Sequence, residues 1–150
     1  MIEGLGDFNL SLVISAMGSA IGTGIAGMAA IGAWKKAFLQ NKAAPFLLVA
    51  FVGAPLSQTF YGFLVQLFIR NANMPSSVYH LQALIGALAG IAIASSAIMQ
   101  GRAGAKAADA LGETGKGFTN YLMVVGVIET VAIFVMVFVM MALPSAPAAG

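Results

Sequence analysis

The stretch Phe118–Leu143, FTNYLMVVGVIETVAIFVMVFVMMAL, carries one charge, Glu129, in the middle of an otherwise apolar run. About 20 such residues in a helix cross the hydrocarbon core of a bilayer. A membrane β-strand would alternate apolar and polar residues, and strict alternation is absent here. Three more stretches read the same way. About Asn9–Trp34 and about Pro45–Ile69 hold no charge, and about Tyr79–Gly101 is apolar throughout its middle. The pattern predicts an all-α membrane protein with four transmembrane helices.

Composition agrees. Of 150 residues, 60% are hydrophobic and 8% charged, with a mean hydropathy of +0.95. Soluble domains carry about 25% charge, and a chain of this size cannot hide so much apolar surface in one core. A soluble globular domain and a disordered chain are both excluded. The absence of cysteine excludes disulfide frameworks and thiolate metal sites. A net charge of +2 on seven basic and five acidic residues gives no footing for nucleic acid. The first span does not read as a cleavable signal peptide, because its flank carries Glu3 and Asp7 rather than basic residues.

The predicted linkers are short. Residues 35–44 hold Lys35, Lys36 and Lys42, and residues 102–117 hold Arg102, Lys106 and Lys116 with Asp109 and Glu113. The middle linker, 70–78, holds Arg70 and the turn signal Met74-Pro75-Ser76. Six of the seven basic residues thus fall in the first and third linkers. The positive-inside rule places those two in the cytoplasm and both termini on the opposite side. The tail, Pro144–Gly150, reads as frayed.

An offset of 71 residues aligns the two halves without a gap. It pairs Met28 with Met99, Lys35 with Lys106, Thr59 with Thr130, Phe63 with Phe134 and, most tellingly, Gln58 with Glu129. The expectation is two duplicated helical hairpins, residues 1–75 and 76–150, repeated in parallel. In the first span Gly18, Gly22, Ala26 and Ala30 recur every four residues, with Gly24 and Gly27 adding small surface. Such a stripe admits another backbone at close range. It fits either one tight crossing within the chain or a small-residue inner layer of a concentric assembly.

An isolated carboxylate at the depth of Glu129 costs several kcal/mol and has to be neutral, paired or coordinated. No Lys or Arg lies mid-span to pair with it. The chain offers uncharged oxygen instead. In the second span APLSQTFYG places Ser57, Gln58, Thr59 and Tyr61 together, with Ser57 and Tyr61 on one helix face. Pro55 frees a backbone carbonyl one turn earlier. Gln100 closes the third span, near the membrane boundary. An all-oxygen set of this kind suits a hard cation. Hydrogen-bond glue between helices is the plainer reading of Ser57 and Gln58. His80 reads as interfacial, Trp34, Tyr79 and Tyr121 as an aromatic belt, and no nucleophile–base pair exists.

The combination of duplicated hairpin, glycine-rich odd spans, PLSQTFYG, MQGR and VIET resembles the membrane rotor proteolipid of V-type ATPases, called subunit K in bacteria. The resemblance covers essentially the whole chain. It implies a ring of identical subunits turning against a stator membrane subunit that supplies a cation, with a central stalk on the cytoplasmic side and lipid around the ring. One ion, Na⁺ or alternatively H⁺, rides on each carboxylate, and ATP chemistry lies on other subunits. In the sodium-carrying members the ligands fall, by resemblance, on Glu129, Gln58, Gln100, the Ser57 hydroxyl and the Ala54 carbonyl, with Tyr61 bonding the carboxylate. Two departures appear. Ser57 stands where the best-known sodium binder has threonine, and Ala54 replaces a larger apolar residue; both keep the ligand oxygen. The linker residues Lys35, Lys36, Arg102 and Lys106 serve either as stalk contacts or only as positive-inside charges. A small proton-coupled multidrug antiporter also has four spans, but its glutamate sits in the first span and it lacks a duplicated hairpin. A pore-forming proteolipid without an ATPase is a further alternative.

Overall fold

The computed structural model describes residues 6–72 and 74–144. Its helices are α1 (Leu10–Leu39), α2 (Leu48–Gly53), α3 (Ser57–Asn71), α4 (Tyr79–Thr114) and α5 (Phe118–Ala142), with 3-10 turns at Ala54–Leu56 and Ser76–Val78. No strand occurs among the described residues. The segment Leu48–Asn71 runs on as one span, so four segments are long and apolar enough to cross a membrane. The chain is an integral multi-pass membrane protein of the all-α class. The expected fraying of the tail concerns residues 145–150, which lie outside the described residues, as does Glu3.

The charged linkers are mostly helix, which corrects the expected loops at 35–44 and 102–117. Lysine, arginine, alanine and leucine are strong helix formers, and no proline interrupts α4, which ends at Gly115 in the left-handed region at φ 66°. Gly117, at φ 87°, then starts α5. At 30 and 36 residues, α1 and α4 measure about 45 and 54 Å, longer than the roughly 30 Å of hydrocarbon. Their extended ends are joined by an exposed ion pair, Lys36 Nζ to Glu113 Oε1 at 2.5 Å.

The other end of α1 is fixed by Asp7, whose role as a cap composition alone did not reveal. Its carboxylate is fully buried and accepts the Ser11 N–H at 2.8 Å and the Asn9 N–H at 3.1 Å. A carboxylate there satisfies otherwise orphaned helix donors and complements the helix dipole. Gly86 of α4 makes room for it, since a Cβ at Gly86 would come 2.2 Å from Asp7 Oδ2.

The helices form two layers. The pair α1 and α4 makes the largest interface; α2 and α3 lie over both, and α5 packs on α4 and α3. The pair is close because the seam is built of small residues. A Cβ at Gly18 would stand 2.4 Å from Ala94 Cα, one at Gly22 2.3 Å from the Ala97 oxygen, and one at Gly101 2.2 Å from the Gly22 oxygen. Ala26, fully buried, continues the row. The stripe is therefore a tight crossing inside one chain. Gly24, expected to extend that surface, has nothing within 4 Å of a Cβ.

Span two bends around Pro55. Without an N–H, the proline cannot continue the ladder, so α2 gives way to the 3-10 turn before α3 resumes. Pro55 Cβ would lie 2.9 Å from a Cβ at Gly22, which puts the turn against the α1–α4 seam. Two apolar clusters flank this level. One gathers Leu48, Phe51, Leu111 and Val125; the other gathers Val65, Ile69, Ile93 and Ala132. Along α3, α4 and α5 the polar residues fall between them.

Gly22→Leu should therefore cost at least the 1–3 kcal/mol or so typical of an overpacked core, because the obstacles are the Ala97 backbone and the rigid Pro55 ring. The expected outcome is little or no monodisperse protein in detergent; a variant that elutes and melts like the parent would show that the seam can open.

Candidate ion site

Each element brings one part of the site. The turn at Pro55 leaves the Ala54 carbonyl pointing at the start of α3, where Ser57 Oγ donates to it at 3.0 Å and shares its proton with Gln58 Oε1 at 3.2 Å. Gln58 is fully buried, and its Nε2 donates to Gln100 Oε1 of α4 at 2.8 Å. Gln100, also fully buried, donates from Nε2 to the Val125 carbonyl at 3.0 Å and to Glu129 Oε2 at 3.4 Å. One turn beyond Ser57, Tyr61 donates its hydroxyl to Glu129 Oε1 at 2.7 Å.

Ala54, Ser57, Gln58, Gln100, Glu129 and Tyr61 thus belong to one hydrogen-bonded chain crossing three helices. They do not all touch the carboxylate. Tyr61 and Gln100 do, while Gln58, Ser57 and the Ala54 carbonyl stand behind Gln100. Thr59, named with them from the sequence, takes no part. Gln100 does not end its helix, as its place at the end of an apolar run suggested. The helix continues past it to Thr114, which leaves Gln100 near the middle of α4 and level with Glu129.

The carboxylate is half-buried, at the outer side of the bundle. Both of its oxygens have a donor and neither has a cation. Two neutral donors bring no compensating positive charge. The arrangement can hold a carboxylate ready for a small cation, with hydroxyl, amide and backbone oxygens close behind to replace water of hydration.

Ser96 escaped sequence reading. It is buried on α4, one turn before Gln100, and its Oγ donates to the Ile128 carbonyl of α5 at 2.9 Å. The signal was its spacing: serine four residues before the glutamine shares its helix face. Trp34, expected in an aromatic belt, also ties down the loop after α1 by donating to the Pro45 carbonyl at 2.9 Å.

Gln100→Leu should leave the Gln58 amide buried without its acceptor, a loss of about 1–3 kcal/mol. Thr130→Val, which removes only a bond to the Val127 carbonyl within α5, should cost well under that. Thermal unfolding of the two variants in detergent gives the comparison, and equal melting temperatures would mean that the network adds nothing to stability.

Among curated proteins none matches the chain. Residues 83–142, which contain most of α4 and all of α5, match the family model of the ATP synthase C-subunit. The match covers the helix pair that carries Gln100 and Glu129.

Proposed function

We propose that the chain is the rotor-ring proteolipid of a V-type ATPase or ATP synthase, carrying Na⁺ on Glu129 and coupling its passage to rotation. The observation that carries this reading is a mid-span carboxylate with no cationic partner, met by Tyr61 and Gln100 and backed by Gln58, Ser57 and the Ala54 carbonyl. A proton needs one carboxyl oxygen and at most one acceptor. Na⁺ needs several oxygens to replace its hydration shell. The chain gathers more oxygens behind Glu129 than a proton would use.

The working cycle follows from charge. Where the ring faces lipid, an ionised Glu129 is expensive, so it travels with Na⁺ or, in competition, H⁺. Na⁺ entering between Glu129 and Gln100 replaces the longest bond of the network, and rotation of the two amides turns their oxygens inward. Against a stator subunit bearing a cation, the free carboxylate is favoured and the ion leaves. The helical ends bearing Lys35, Lys36, Arg102 and Lys106 are then cytoplasmic, within reach of a central stalk, and both termini lie opposite. The duplicated hairpin, with Gln58 where the second half has Glu129, gives one ion per four helices. The antiporter reading is not favoured, because α1 carries no acid between Leu10 and Leu39.

Glu129→Gln, nearly isosteric, should leave ring assembly intact and abolish ion-coupled ATPase activity of the complex; coupled transport surviving in that variant would overturn the carrier role. The ion itself is tested with a carbodiimide, which modifies the protonated acid. At constant pH and ionic strength NaCl should slow modification of Glu129 and KCl should do so much less. Gln58→Leu and Gln100→Leu should each weaken the protection by about 1–3 kcal/mol, or roughly 5- to 150-fold in concentration. Absence of protection even at alkaline pH would make this a proton site.

A further inference from the structure

Helix α5 carries the carboxylate, yet it is the helix least held by packing: of its 25 residues only Val125 and Ala132 are buried. Lipid is as apolar as the side chains α5 presents, so no hydrophobic force fixes its rotation about its own axis. Rotation matters, because one residue step around a helix turns a side chain by about 100°. Apolar packing holds one side of α5 loosely, through Val125 and Phe118 in one cluster and Ala132, Val135 and Met136 in the other, and polar contacts add direction. Two side chains of α4, four residues apart, donate to two α5 carbonyls: Ser96 to Ile128 at 2.9 Å and Gln100 to Val125 at 3.0 Å. Those carbonyls bracket the N-terminal side of Glu129, and each has a second lone pair free for the purpose beside its helical bond.

We propose that Ser96 is a positioning residue for the ion site: by holding the Ile128 carbonyl it sets the rotation of α5 and so directs the Glu129 carboxylate at Tyr61 and Gln100. Ser96 does not touch the carboxylate. Gln100 has a second task, since it also meets Glu129 and Gln58, and its backbone bond must yield when its amide turns toward an ion. Ser96 has no such conflict. Its bond persists through loading and release, so α5 keeps its orientation while the amides rearrange. The groups facing Glu129 from α3 and α4 are otherwise uncharged: Tyr61, Gln100 and Ser96. The first charge on α4 beyond them, Arg102, is exposed.

The proposal rests on the ion-carrier reading, and its test separates the two. The assembled protein is compared as wild type, Ser96→Ala, Ser96→Thr and Thr130→Val, the last removing a hydroxyl bond that stays within α5. Three quantities are read at one pH: the carbodiimide rate at Glu129 without sodium, the NaCl concentration giving half-protection, and the melting temperature. Loss of one such bond should raise the half-protecting NaCl concentration in Ser96→Ala by about three- to tenfold and change the sodium-free rate. Ser96→Thr, which keeps the hydroxyl, should restore both, and Thr130→Val should change neither. A Ser96→Ala protein with a lower melting temperature but unaltered rate and half-protection would overturn the positioning role, leaving Ser96 as a structural tie. If NaCl fails to protect the wild type, the sodium reading falls, and the sodium-free rate with its rescue by threonine still decides the role of Ser96.

Discussion

The backbone of α1 at Gly22 lies against Ala97 and Gly101 of α4 and against Pro55 of span two, closer than any side chain allows. The buried pair of amides depends on that approach. Gln58 follows Pro55 by three residues and Gln100 follows Ala97 by three, so the contact at Gly22 brings the two amides within 2.8 Å. A wider seam would part them, and each would be left buried in an apolar medium without a partner, at a cost larger than the net gain of one bond. Small residues in α1 are therefore a condition for the amides in α3 and α4. The glycine stripe and the ion site, which look like separate features of the sequence, are one construction.

The network that results is graded in burial. Gln58 and Gln100 are fully enclosed, while Glu129 is only half so. That gradient suits a carrier. Ligands that must never meet water are shut inside the bundle, where low dielectric strengthens each hydrogen bond. Glu129, the proposed carrier, stands at the edge, reachable from outside the bundle. A carboxylate enclosed to the same degree as the glutamines would hold an ion and have no path to release it.

Much of this was legible in the sequence, and the rest was not for definite reasons. Four spans follow from apolar length, and Glu129, Gln58, Ser57 and Tyr61 stand out because polar residues at mid-span are expensive. The extent of α1 and α4 was hidden because a hydropathy boundary marks where charge begins, and a helix can run on past it; α4 ends at Gly115, well past Arg102. The same boundary makes Gln100 look like the end of a helix when it lies near the middle of a longer one. Asp7 read as a flanking charge, since a capping carboxylate is recognised by the N–H groups around it and these depend on the turn at residues 7–9. Gly24 and Gly22 are equivalent to a composition argument, yet only one faces a helix.

The loose packing of α5 follows from what that helix has to do. A core of interlocked side chains around Glu129 would fix its direction, and it would also bury it on every side and seal it from the ion's path. Directional polar tethers give the first effect without the second. A hydrogen bond to a backbone carbonyl fixes rotation through a single atom and leaves the rest of the helix face bare. Phe134, Val127 and Val131 remain exposed, free to meet lipid or another subunit, while Ser96, Gln100 and Tyr61 determine where the carboxylate points. In a soluble protein water would compete for those carbonyls and hydroxyls and weaken the tethers. Within a membrane water does not compete, and the tethers add direction to what packing already holds.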